Sequence, residues 1–145
     1  MKHLLRGWLV VLCLCMVAVA ADSGVAIVKR VQGKVEVKRA GKLLPVAAGD
    51  HLRAGDLLLT ASDSRAGLIF NDGSTLNLGE KSMLRIKTFV FVPVEDKFDF
   101  NLRLDQGTAL FESGKIGKLA PEKFKFEIPE GTIGIRGTKF LVEVK

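Results

Sequence analysis

Residues 97–104 alternate strictly between polar and apolar side chains, and this pattern restricts the fold more than any other feature of the chain. The apolar members are Phe98, Phe100, Leu102 and Leu104, and every residue between them is polar. Because successive side chains of a β-strand point to opposite faces, a period of two predicts a half-buried strand. After the first twenty-odd residues, no segment shows the spacing of three or four that an amphipathic helix requires.

The rest of the chain consists of further short apolar runs that turn residues separate. Predicted strands cover residues 25–31, 34–38, 43–46, 56–60, 66–70, 75–78, 83–92, 108–111, 124–128, 132–135 and 139–144. The first two are expected to join at a glycine turn, and residues 113–118 are predicted to form a loop. Residues 71–74 (NDGS) contain an Asp-Gly pair, which supplies the positive φ of a tight hairpin. About a dozen short strands indicate an all-β fold, namely a twisted β-roll, a short β-solenoid or a sandwich.

Two local features refine this prediction. The parity of the apolar residues changes between Ile86 and Phe89, which predicts a β-bulge near Thr88. Residues 48–50 and 54–56 both read Ala-Gly-Asp. This near-repeat indicates either successive short rungs or two independent turns.

The first twenty residues have the composition of an export signal. Lys2 and Arg6 give a basic start, residues 8–21 are uncharged and almost wholly apolar, and residues 18–20 are small enough for a signal peptidase. Fourteen helical residues reach about 21 Å, short of a hydrocarbon core of about 30 Å. We therefore expect a signal peptide over residues 1–20 and a periplasmic or secreted all-β domain over residues 21–145. The alternative is an uncleaved N-terminal helix that anchors the protein.

Removal of this leader would leave few residues for catalysis. Both cysteines, Cys13 and Cys15, lie in it, so the mature chain would have no thiol nucleophile, disulfide or Cys-bearing zinc site. The remaining histidine, His51, lies in a turn-like stretch without a nearby nucleophile motif. No calcium-loop spacing relates the four aspartates Asp50, Asp56, Asp63 and Asp72. We therefore predict no catalytic residue, no metal site, no cofactor and no enzymatic activity.

Five short segments carry a resemblance to a known family. In chain order they are residues 31–35 (VQGKV), 55–60 (GDLLLT, preceded by Gly49), 65–74 (RAGLIFNDGS), 104–107 (LDQG) and 135–140 (IRGTKF). Each is weak alone, but five in the right order over nearly the whole mature chain are specific. From about residue 25 to residue 144 the sequence resembles the FecR domain, a periplasmic domain first named in a ferric-citrate signal transducer.

The resemblance implies an all-β extracytoplasmic module with the form of a twisted β-roll or solenoid-like sandwich. In the named transducers, this module lies between a cytoplasmic anti-sigma region with its membrane span and a C-terminal segment that contacts a receptor. The present sequence starts with a short leader and stops at Lys145, directly after the last matching strand. We therefore do not expect the transducer role to carry over.

The turn residues of these segments are expected to have structural roles. They are Gly55, Asp56, Asp72, Gly73 and Gly137. Gly137 would permit a backbone conformation that is closed to other residues. Its neighbours Arg136 and Thr138 are candidates either for stabilising that turn or for recognising a partner, since an arginine can pair with a carboxylate.

Four lysines within one eleven-residue window form a second candidate binding site. They are Lys115, Lys118, Lys123 and Lys125. Such a group suits an anionic surface, which could be lipid headgroups, an acidic cell-wall polymer or an acidic protein. A solvated loop is the other explanation. Nucleic acid is not an expected partner of an exported protein, in spite of the formal charge of +6.

These observations favour an exported bacterial module of the cell envelope that binds a protein or another ligand without catalysis. Its sheet edges, or the long hairpin of residues 83–104, are expected to contact an envelope protein, for example by strand addition. One alternative is a sensor subunit that relays through a separately encoded transmembrane partner. Another is an accessory protein that binds or processes cell-wall polymer and uses His51. No oligomeric state is predicted.

Overall fold

The computed structural model describes residues 24–135 and 139–145. The predicted signal peptide and the candidates Arg136, Gly137 and Thr138 lie outside these residues. The strands are β1 (Ala26–Gln32), β2 (Val35–Arg39), β3 (Lys42–Pro45), β4 (His51–Leu52), β5 (Leu57–Thr60), β6 (Arg65–Phe70), β7 (Thr75–Leu78), β8 (Met83–Val92), β9 (Lys97–Glu112), β10 (Phe124–Ile128), β11 (Gly131–Ile133) and β12 (Lys139–Val144). A short helix, α1 (Lys115–Leu119), and two 3₁₀ turns, Pro93–Glu95 and Pro121–Lys123, complete the described elements.

The twelve strands form one continuous sheet that is rolled into two layers. Layer I has the order β4-β1-β6-β7-β9-β12, and layer II has the order β3-β2-β5-β8-β9-β10-β11. Every pairing is antiparallel except that of β10 with β9, which is parallel. The all-β prediction is confirmed, and the arrangement is that of a rolled sheet.

Four stacked corners carry the chain from one layer to the other. They lie at residues 33–34, 61–64, 79–82 and 107. The Ala61 N–H donates to the Lys34 carbonyl at 3.1 Å, and the Lys81 N–H donates to the Ala61 carbonyl at 3.1 Å. The Thr108 N–H then donates to Ser82 Oγ at 3.1 Å. Because each corner binds the next, the polar groups that turns would otherwise leave unpaired are satisfied along one column.

Two predicted turns prove to be corners between the layers. The strands predicted on either side of Gly33 are present, but β1 pairs in layer I and β2 pairs in layer II, so they do not form a hairpin. The strand predicted for residues 108–111 is not separate, because β9 continues through Gly107 to Glu112. Gly107 has a φ of +101°, which lets the strand change direction without ending.

The core lies between the layers and is centred on Phe100. Its ring centroid is 4.7 Å from that of Phe70 and 5.8 Å from that of Phe111, both in layer I, and 5.2 Å from that of Phe124 in layer II. The predicted alternation in β9 is confirmed, since Phe100, Leu102 and Leu104 are fully buried. The predicted bulge is present as well, as a register shift between Ile86 and Thr88.

Two further segments differ from the prediction. Residues 115–119, within and just after the predicted loop, form α1, whose Ile116 is buried. A helix of five residues with a single buried side chain is too short to show a helical period. His51 lies in the two-residue strand β4, which pairs with Ala26 and Ile27 of β1, and not in a turn.

Candidate functional site

A groove of about 530 Å³ crosses the outer face of layer I. Strand register places five residues in one row across the strands. In order from β1 to β12 they are Arg30, Gly67, Asn77, Leu110 and Leu141. The row therefore has a cationic end and an apolar end, with a glycine and an amide between them.

Two glycines let neighbouring side chains pack closely beside this groove. A Cβ atom on Gly67 would lie 3.1 Å from Asn77 Oδ1 and 3.6 Å from Arg30 Cβ. A Cβ atom on Gly79 would lie 3.3 Å from Thr108 Cβ. A side chain at either position would therefore press against its neighbours, and at Gly67, which is buried, it would displace Asn77 and Arg30.

The cationic end is a second hollow of about 240 Å³ that adjoins the first. Arg30, Gln32, Arg65 and Asn77 line it, and no carboxylate does. Within residues 24–135 and 139–145, neither guanidinium makes an ion pair, and neither amide side chain makes a hydrogen bond. Four groups with strong hydrogen-bonding capacity are therefore available to a ligand.

The other end of the groove is apolar, and acidic residues flank its corner side. Leu141 is 67 % exposed on the outer face of β12, and Leu110 beside it is half-buried. Asp63 and Glu80 line the groove near the corners, where Glu80 Oε2 accepts a hydrogen bond from the Asp63 N–H at 2.8 Å. The groove thus combines separate basic, apolar and acidic regions.

Sequence reasoning missed this groove. Arg30 and Arg65 are 35 positions apart, and their proximity depends on the register in which β1 pairs with β6. The pattern of residues 65–70 contained one usable signal, because Gly67 occupies an outward position of a strand where a side chain would normally stand.

The near-repeat at residues 48–50 and 54–56 forms two turns with the same hydrogen bonds. In the first turn, the Ala47 N–H donates to Asp50 Oδ2 at 2.8 Å. In the second, the Arg53 N–H donates to Asp56 Oδ2, also at 2.8 Å. Gly49 and Gly55 have φ values of +95° and +93°, so each turn uses its glycine in the same way. These are two separate turns on either side of β4.

Asp56 has a further role as the partner of a partly buried arginine. Its carboxylate is 2 % exposed and accepts hydrogen bonds from Arg39 Nε at 2.9 Å and Arg39 Nη2 at 2.6 Å. Hydrogen bonding to Asp56 raises the pKa of the Arg39 guanidinium above its usual range. The second Ala-Gly-Asp segment thereby fixes the end of β2.

Asp72 and Ser74 hold the start of α1. Asp72 is 1 % exposed and accepts hydrogen bonds from the Ser74 N–H at 3.0 Å and the Ile116 N–H at 3.2 Å. Ser74 Oγ accepts one from the Gly114 N–H at 2.8 Å. Gly73 has a φ of +86° and lies between the two, in the turn that joins β6 to β7.

The four candidate lysines lie on three elements. Lys115 and Lys118 are on α1, Lys123 is in the second 3₁₀ turn, and Lys125 is on β10. All four are exposed, and none of them forms an ion pair with a described residue.

A polar cluster on the outer face of layer II surrounds Glu127. Its carboxylate accepts hydrogen bonds from Asn101 Nδ2 at 2.9 Å and Lys87 Nζ at 3.0 Å. These bonds lower the pKa of Glu127, and the charges of Lys87 and Arg103 add to the effect. Asn101 Oδ1 is buried and has no partner among the described atoms.

His51 is exposed and lines a hollow of about 240 Å³ with Arg39 and Asp50. Its main-chain carbonyl accepts a hydrogen bond from Arg39 Nη2 at 3.2 Å. No hydrogen bond joins its imidazole to a carboxylate within the described residues. The described part of the chain also contains no group of three or more His, Cys, Asp or Glu that could hold a metal ion. None of its helices is both long and apolar enough to cross a membrane.

These features define an all-β module that has an open polar and apolar groove on one face of its rolled sheet. The family described as "FecR protein" matches residues 56–145, more than half of the chain, and the protein therefore belongs to the FecR family. The resemblance inferred from the sequence is thus confirmed. The match begins at Asp56, so β1 to β4 lie outside it although they belong to the same rolled sheet. No curated protein and no solved structure matches the chain.

Proposed function

We propose that the protein is an exported, non-catalytic binding module of the bacterial cell envelope, which contacts an envelope protein through the groove on layer I. Membership of the FecR family is consistent with a role in envelope-related signalling. The observation that carries the proposal is the composition of the groove. An exposed leucine, Leu141, shares it with two arginines that have no carboxylate partner among the described residues.

This composition is typical of protein-binding surfaces. Arginine is enriched where proteins meet, because its planar guanidinium can form several directed hydrogen bonds and also cover apolar area. Burial of the exposed part of Leu141 would add about 1–2 kcal/mol of hydrophobic stabilisation. A groove that offers both kinds of contact can bind a partner without any chemical step.

Export is supported by the basic start and the apolar run of residues 2–21. Cell fractionation with N-terminal sequencing of the accumulated protein tests this part of the proposal. We expect envelope or secreted protein that begins near residue 21. Protein that stays in the cytosol with residue 1 intact would contradict export.

Site-specific crosslinking in living cells tests the groove. A photoreactive amino acid is placed at Asn77 in the groove, and in a matched control at Lys38, which is exposed on the outer face of layer II. We expect an adduct with an envelope protein from position 77 and not from position 38. The same adducts from both positions, or no adduct from position 77 in any growth condition, would contradict the proposal.

A further inference from the structure

We propose that the groove binds an extended peptide segment of the partner, with a carboxylate of the peptide between Arg30 and Arg65 and an apolar side chain against Leu110 and Leu141. This inference rests on the proposed protein-binding function and adds the chemistry of the ligand. Arg30 and Leu141 lie at opposite ends of the row, so the carboxylate and the apolar side chain of the peptide have to be separated along its length.

The length of the row suits a short peptide. The path from Arg30 on β1 to Leu141 on β12 crosses four strand-to-strand steps, through β6, β7 and β9. At about 4.8 Å per step the row is about 19 Å long. An extended peptide advances about 3.3 Å per residue, so about six residues span the distance.

The amides in the groove favour a peptide over a simple anion. Gln32 and Asn77 line the hollow, and their side chains make no hydrogen bond within the described residues. Each amide has a donor and an acceptor, so it can bind both the C=O and the N–H of a passing main chain. Gly67 is buried between Arg30 and Asn77, so no side chain projects from the row at this position to separate the peptide from those two residues.

The charges determine where the carboxylate of the peptide lies. Arg30 and Arg65 lie on neighbouring strands and on the same outer face, at diagonal positions of the register, so both guanidiniums can reach one carboxylate. Asp63 and Glu80 on the corner side would repel a carboxylate placed there. A single acidic residue or chain terminus at the β1 end is therefore the complementary ligand group.

The test starts from a random decapeptide display library selected on the full chain. An enriched peptide is synthesised with its acidic residue and with the matching amide, and binding is measured by fluorescence anisotropy. We expect enriched peptides to carry Asp, Glu or a free C-terminus about five residues from an apolar residue. Replacing the acid by the amide should weaken binding about tenfold or more.

Variants of the protein then locate the site. In the double variant Arg30→Gln/Arg65→Gln, the acidic and amide peptides should bind equally, within about twofold. In Gly67→Val the new side chain would displace Asn77 and Arg30, and binding of both peptides should be lost. The matched controls are Arg85→Gln, an exposed arginine of layer II, and Gly131→Val, where a Cβ atom meets nothing within 4 Å; both should leave binding unchanged.

Each contrary result has a distinct meaning. Peptides that bind Gly67→Val normally, acidic preference that survives the double variant, or a library with no enriched binder would overturn the peptide proposal. Groove-dependent binding to purified cell-wall polymer without peptide binding would overturn it in favour of that polymer. A crosslink from position 77 that persists in Arg30→Gln/Arg65→Gln would leave the protein-binding function standing and remove only the acidic specificity.

Discussion

The carboxylate of Asp72 accepts a hydrogen bond from the main-chain N–H of Ile116, which lies 3.2 Å away and 44 positions later in the chain. The Asp-Gly-Ser turn of layer I therefore holds the first turn of α1, and α1 in turn places Ile116 in the core. A segment that reads as a simple hairpin turn thus also connects two distant parts of the fold.

Replacing Asp72 by Ala should destabilise the protein by about 2–4 kcal/mol, because it leaves the buried N–H groups of Ser74 and Ile116 without an acceptor. Urea unfolding followed by circular dichroism measures the loss. Asp99→Ala, at an exposed position of β9, is the control and should change stability by less than about 0.5 kcal/mol. Equal stability of the two variants would show that the Asp72 contacts contribute nothing.

Substitutions of Arg39 and Asp56 should be strongly coupled in their effects on the free energy of unfolding. Arg39→Met leaves the Asp56 carboxylate, which is only 2 % exposed, without its arginine. We expect the free energy of unfolding to fall by about 3 kcal/mol. The double variant Arg39→Met/Asp56→Leu should lose less than the sum of the two single variants, because no charge stays unpaired. Thermal and urea unfolding of all four proteins measure the coupling, and strictly additive losses would contradict it.

Gly107 should tolerate no side chain. A Cβ atom there would overlap Ser82 and lie 2.6 Å from Ser82 Cβ, in a residue whose φ is +101°. We expect Gly107→Ala to lower the free energy of unfolding by about 3–5 kcal/mol, because backbone strain and the overlap with Ser82 act together. Gly49→Ala is the matched control, because its φ is +95° but its Cβ atom would meet nothing within 4 Å. It should cost only about 1–2 kcal/mol, and a similar loss in both variants would argue against the overlap.

Glu127 should make stability depend on pH in the acid range. Its folded-state pKa is lowered below the ordinary 4.5 by hydrogen bonds from Asn101 and Lys87. Its contribution is therefore fully present above about pH 4.5 and is lost as the pH falls through the lower, folded-state pKa. Since the side chain is partly exposed, Glu127→Gln should cost at most about 1 kcal/mol at pH 7.

Unfolding at several pH values between 2 and 7 checks this prediction. The difference between the parent protein and Glu127→Gln should shrink towards the acid end of the series. Glu122→Gln, at an exposed position in the second 3₁₀ turn, should show no such trend. A constant difference for Glu127→Gln across the series would contradict the pKa direction.

Local patterns were sufficient to predict the burial of β9 and all the described strands except the two-residue β4. The period of two at residues 97–104 places Phe100 and Leu102 in the core, and the parity change near Thr88 marks a real bulge. The direction of the chain after a glycine was not predictable in the same way. Gly33 and Gly107 read as turns, but only the pairing of distant strands shows that they lead from one layer to the other.

The groove depends even more on distant pairing. Arg65 and Asn77 each read as ordinary outward residues of a strand, and nothing local relates them to Arg30 or Leu141. Only the register of β1, β6, β7, β9 and β12 together aligns these residues. A surface that many strands build has no signature in any one of them.

Among the described strands, β9 alone carries its ladder through both layers. A force that a partner applies at the groove therefore acts on a strand that also belongs to layer II. The crossing point, Gly107, lies inside β9, so the strand itself connects the two layers. We therefore expect a load on the groove to reach layer II directly through the main chain of β9.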